Sequence, residues 1–157
     1  MAVKELFRRA VDTITRPGRR RGQPSPKPSG EAPSFDIPDL GGITIAYAPV
    51  PGRDPDPGEV VWTWVPYEDD PSQGKDRPVV LFGRRSGDLV GVALTTKQDH
   101  PHQVLVGTGA WDSERRPSYA KLDRILDVDA GRVRRVGGVL EPKRFDDLVE
   151  ALRSFYS

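Results

Sequence analysis

From residue 41 onward, apolar positions fall in short runs broken by glycine, proline and charge. In residues 43–48, Ile43, Ile45 and Tyr47 recur at every second position, the period of a strand. Residues 49–58 hold Pro49, Pro51, Pro55 and Pro57 and read as a turn-rich connector. Residues 59–66, EVVWTWVP, place Val60, Trp62 and Trp64 on one face. Residues 78–83 and 89–95 are apolar runs, and residues 103–107, 119–128 and 132–136 complete the set of strands. Strands so short and so closely spaced, with no helical stretch between them, predict a small antiparallel barrel. The end of the chain changes period. Phe145, Leu148, Val149, Leu152 and Phe155 recur at helical spacing over 142–156, and Pro142 suits a first helical turn. The apolar face of this helix is expected to close one side of the barrel. The fold class is therefore mainly β.

The first 40 residues have a different texture. Leu6, Phe7, Ala10, Val11 and Ile14 give residues 4–16 one apolar face and a basic remainder, and Pro17-Gly18 ends the run. Such a segment suits a membrane surface or a nucleic acid. It equally suits docking on the protein's own core, and a helix this short is marginal alone in water. Residues 17–40, with six prolines, read as a linker. The expected organisation is a basic arm and linker over 1–40, then a barrel domain over 41–157.

Composition narrows the function. The 157 residues include 16 Gly and 16 Pro, which favours turns over a helical bundle. No apolar run approaches the roughly 20 residues that span a bilayer, so an integral membrane protein is excluded, and 4–16 is too polar for a secretory leader. With no Cys, disulfides, thiolate zinc sites, iron–sulfur clusters and cysteine nucleophiles are excluded. A Cys-free chain is compatible with the cytoplasm. Net charge is +1, but residues 1–30 hold eight Lys/Arg against Glu5 and Asp12, a net +6. Residues 51–157 are left at −2, so any nucleic-acid contact of the core needs a local basic patch. Arg19-Arg20-Arg21 suits phosphates or plain solvation.

Several positions carry candidate chemistry. Residues 69–78 read as a polar loop between two strands, with Arg77 at the mouth of the second. There a guanidinium can meet a phosphate, or pair with Asp76 as a structural ion pair. Thr95 and Thr96 end the next strand, where hydroxyls donate to phosphate or cap a turn. His100 and His102 stand two apart and suit a surface loop, a general base or half of a metal site that lacks a third ligand. Trp111 can stack on an unpaired base or pack inward, and Asp112 can move a proton or pair with a neighbouring Arg. No phosphate-binding glycine loop, GxSxG or HExxH pattern occurs.

Four pieces in order resemble the MazF/PemK toxins of type II toxin–antitoxin systems. They are Gly58-Glu59-Val60-Val61-Trp62, Gln73-Gly74-x-x-Arg77-Pro78-Val79-Val80-Leu81, Val92-Ala93-Leu94-Thr95-Thr96, and Leu122-Asp123-Arg124-Ile125 followed by residues 132–140 and the terminal helix. The resemblance runs from 58 to about 153. It implies an SH3-like barrel, usually a homodimer, that cuts single-stranded RNA at short sequences without metal or other cofactor. It also implies a cognate antitoxin, and operator DNA bound only together with that antitoxin. By position, Arg77 matches the catalytic Arg and Thr95 its hydroxyl partner. Gln73, Gly74, Lys75, Thr96, His102 and Trp111 are expected to touch RNA, and Asp112, His102 or Glu68 to supply the base. Ser72 stands where many relatives carry an acid, and the basic arm is not a general family feature. A barrel that binds nucleic acid or a protein without cutting is the alternative.

Overall fold

The structure is a computed structural model that describes residues 25–26, 36–50, 52 and 54–157. The expected helix over 4–16 and the Arg19–Arg21 run lie outside the described residues. The elements are β1 (Ser25–Pro26), β2 (Asp36–Ile37), β3 (Ile43–Ile45), β4 (Glu59–Pro66), β5 (Gln73–Arg85), β6 (Asp88–Thr95), β7 (Gln103–Gly107), β8 (Ser118–Lys121), β9 (Ile125–Val128), β10 (Arg135–Val139) and α1 (Pro142–Phe155). A single 3-10 turn, Ala130–Arg132, precedes β10.

Every strand pairing is antiparallel, and the main path runs β10-β4-β5-β6-β8-β7. Strand β6 has two successive partners on its outer edge. Leu89–Gly91 pair with β9, whereas Leu94–Thr95 pair with β8. The sheet thus turns from one layer into the next along β6, which gives the small SH3-like barrel its corner. Gly91 lies in this stretch, and a Cβ there would meet the Val80 carbonyl oxygen at 2.6 Å.

Both faces of the central strands are covered. Val60, Val80, Phe82, Val90, Val92 and Leu94 point to the main core, which Phe145, Leu148 and Leu152 of α1 complete. Val61, Val65, Val79, Leu81, Leu89, Ala93, Leu126 and Val128 form a second cluster on the opposite face. Burial on two sides explains why residues 78–83 and 89–95 are continuous apolar runs rather than alternating ones.

Some element boundaries differ from the sequence reading. Residues 119–128 are two strands, because a turn at Leu122–Arg124 separates β8 from β9. Residues 73–77, read as loop, belong to β5. Within residues 17–40, Ser25–Pro26 pairs with Gln73–Gly74 and Asp36–Ile37 pairs with Ile125–Leu126. A polar linker segment can join a sheet because the ladder needs only backbone donors and acceptors.

Glu59 is a buried acid beside these cores, 2% exposed, and its Oε1 accepts the Asp56 N–H at 2.8 Å. Burial raises its pKa above the ordinary 4.5, with a smaller opposing pull from the Asp56 hydrogen bond. A raised folded pKa gives stability that is full below the unfolded value and lost as pH rises through the folded one. Glu59→Gln keeps the acceptor oxygen but never ionises. Its melting temperature is expected to exceed that of the wild type at pH 7 and to match it at pH 4. Equal melting at both values would dissociate Glu59 from this pH dependence.

Candidate active site

The site grows from the register of β4, β5 and β6. Thr63 pairs with Arg77 and Val61 with Val79, so Arg77 stands on the face of the second apolar cluster. The β5–β6 ladder ends at Val79↔Ala93, two residues short of both Arg77 and Thr95. The chain between β4 and β5 folds back as a hairpin, with Tyr67 N donating to Gln73 O at 2.8 Å and Gln73 N to Asp70 O at 3.0 Å. Gly74 makes this close approach possible. It pairs with Pro66, and a Cβ on it would collide with the Val65 carbonyl oxygen.

Above this face lies a cleft of about 350 Å³. Val65, Ala93 and Leu126 supply apolar lining, and Tyr67, Glu68, Asp69, Arg77, Lys121 and Arg124 supply the polar lining. Three cations and two acids thus meet in one concavity. Among the described residues, the Arg77 side chain has no hydrogen-bond or ion-pair partner; Asp76 instead pairs with Arg134 at 3.2 Å. Burial lowers the Arg77 pKa, the Tyr67 hydroxyl pulls it back up, and the neighbouring Arg124 charge lowers it further. A guanidinium stays protonated at neutral pH under such shifts. It therefore presents an uncompensated, partly desolvated cation, which favours an anion more strongly than a solvated one.

The expected site residues separate into those at the cleft and those elsewhere. Arg77 and Glu68 line it. Gln73, Gly74 and Lys75 lie just before Arg77 in β5, with Gln73 exposed and Lys75 half-buried. Thr95 and Thr96 lie outside the lining, and the Thr95 hydroxyl accepts the Lys97 N–H at 3.1 Å, capping a turn. His102 also lies outside and packs edge-on against Phe155 with ring centroids 4.9 Å apart. His100 meets Asp123 at 3.2 Å, and its Nδ1 accepts the His102 N–H.

Trp111 is 3% exposed within the main core, and its Nε1 donates to Ser118 Oγ at 3.0 Å. The ring offers no open face on which a base can stack. Asp112 is committed to Arg116: Oδ2 accepts from Nε and Oδ1 from Nη2, both at 2.9 Å. The Arg116 hydrogen bond is the main reason its pKa is pulled from 3.8 to about 2. A carboxylate so strongly favoured as the anion is a poor proton acceptor.

Sequence reasoning missed Tyr67, Lys121 and Arg124. Lys121 and Arg124 flank the turn between β8 and β9, where a single continuous strand was expected. Recognising Leu122-Asp123 as a turn would have brought both cations to one corner. Among the described residues, no group of three His, Asp or Glu is placed to hold a metal, and no helix is long and apolar enough to cross a membrane.

The fold is a small antiparallel barrel with a cleft lined by three cations and two acids. The chain belongs to the PemK-like, MazF-like toxins of type II toxin–antitoxin systems, whose family model matches residues 56–156. The match spans the whole cleft lining and begins after β3. No curated protein matches the sequence.

Proposed function

We propose that this toxin is an endoribonuclease that cuts single-stranded RNA at short sequences and needs no metal or other cofactor. The observation that carries the proposal is the unpaired Arg77 guanidinium, set in a cleft with Lys121 and Arg124. The ribose 2′-oxygen attacks the adjacent phosphorus, forming the 2′-O–P bond as the P–O5′ bond breaks. The products carry 2′,3′-cyclic phosphate and 5′-OH ends. The nucleophile belongs to the substrate, so a metal-bound hydroxide is not required. Arg77 stabilises the charge that builds on the phosphoryl oxygens. Glu68 lines the same cleft and is the base for the 2′-OH proton, in preference to Asp112 and His102. Lys121 supplies the proton to O5′, because an ammonium is a better acid than a guanidinium. Thr95 positions the phosphate, and Gln73, Gly74, Lys75 and Thr96 contact the flanking nucleotides.

Family membership supports an antitoxin that silences the enzyme. In our reading the toxin is a cytoplasmic homodimer that meets operator DNA only together with that antitoxin. The test is incubation of a long single-stranded RNA with the protein in EDTA, followed by end-group analysis. Discrete cuts ending in 2′,3′-cyclic phosphate are expected. Binding without cuts by folded protein would establish the non-cleaving barrel instead.

A further inference from the structure

We propose that Asp36 is a positioning residue for this cleft, holding the Arg124 guanidinium beside Arg77 so that two cations meet the RNA backbone. The proposal rests on the ribonuclease reading but is separable from it by experiment. Arg124 projects from the turn between β8 and β9, and an arginine on an open turn samples many rotamers. Here two bonds fix it. Nε donates to Asp36 Oδ1 at 2.7 Å, and Nη1 donates to the Pro66 carbonyl oxygen at 2.7 Å. The side chain is 16% exposed. Of the five N–H donors of a guanidinium, these bonds leave three for a ligand.

Asp36 is itself anchored. It pairs with Leu126 across the β2–β9 ladder, and the adjacent Ile37 is 7% exposed in the main core. Both residues precede the span matched by the family model, which starts at residue 56. One of the two bonds that clamp Arg124 therefore comes from outside the matched span, and the other, to Pro66, from within it.

The sign of the effect distinguishes positioning from simple electrostatics. Asp36 is an acid close to an anion-binding cleft. On Coulomb grounds alone its removal strengthens anion binding. A positioning role predicts the opposite, since a freed Arg124 pays rotamer entropy when it binds phosphate.

The probe is a fluorescein-labelled 2′-O-methyl oligoribonucleotide of random sequence, whose blocked 2′-oxygen prevents cleavage, read by anisotropy. Asp36→Ala is expected to weaken binding about fivefold and Arg124→Gln about tenfold, the range of a charge-assisted hydrogen bond. Asp36→Asn is expected to recover most of the loss, because its amide oxygen still accepts from Nε. The double variant Asp36→Ala/Arg124→Gln should bind no more weakly than Arg124→Gln alone. With RNA as substrate, the Asp36→Ala loss should fall in KM rather than kcat. Binding by Asp36→Ala that equals or exceeds wild type overturns the proposal, as does an Asp36→Ala loss that persists undiminished beside Arg124→Gln. Should Asp36→Ala melt out, Arg124→Lys serves: it keeps the charge but loses the fork, and wild-type binding by it overturns the proposal. No binding by wild-type protein overturns the ribonuclease reading and this inference together. Wild-type cleavage with an indifferent Asp36→Ala overturns this inference only.

Discussion

Arg77→Ala is expected to abolish RNA cleavage, by at least about 10²–10³ in kcat, the usual cost of removing one oxyanion-stabilising donor. The fold should survive. The Arg77 side chain makes no hydrogen bond or ion pair among the described residues, so its loss leaves no partner stranded. Removing a partly desolvated cation next to Arg124 also relieves repulsion, since the Arg124 charge disfavours the charged form of Arg77. The melting temperature of Arg77→Ala should therefore equal or exceed that of wild type. Cleavage of a long RNA in EDTA and thermal melting, run on both proteins, check the two halves together. A variant that unfolds would make Arg77 structural, and one that still cuts at the wild-type rate would remove it from the chemistry.

Trp111→Ala is expected to cost roughly 3–5 kcal/mol of stability, the range for truncating a buried large aromatic. The ring is 3% exposed and shares the core with Val60, Phe82, Leu140 and Phe145. Its loss also strands Ser118 Oγ, whose residue is 2% exposed, without the indole donor. Against the stability of about 5–15 kcal/mol typical for a domain of this size, such a loss should move the urea unfolding midpoint far below that of wild type. Trp111→Phe refills most of the space but leaves the hydroxyl unpaired, for an expected loss of about 1–3 kcal/mol. Urea unfolding of both variants provides the check. A Trp that served RNA stacking would instead give wild-type stability and weakened RNA binding.

The secondary structure was largely legible because local patterns carry it. The period-2 alternation of 59–66 became β4, residues 103–107 became β7, and the 3.6-period face of 142–156 became α1. The breaks were harder to read. Leu122-Asp123 turns the chain without glycine or proline, so apolar residues on either side merged into one expected strand. Residues 73–77 are polar, yet they extend β5 because their backbone is paired with β4. Trp111, in a charged loop sequence, gave no local sign that its ring turns inward.

The sequence by itself determined that this protein is a small, mainly β chain with a terminal helix. It also determined, through Gln73-Gly74-x-x-Arg77-Pro78 and its companions, the toxin family. Both depend on spacing along the chain, which local backbone geometry and residue type set directly. Only the tertiary structure decided which charges share a cleft. Arg77 lies on β5, Lys121 and Arg124 flank the turn after β8, and Asp36, 88 residues from Arg124, completes the arrangement. Their meeting follows from the corner in β6 and the fold-back at Gly74, and such long-range closure leaves no periodic trace in sequence. Tertiary packing likewise drew Trp111 into the core, whereas the Asp112–Arg116 pair is local, four residues apart.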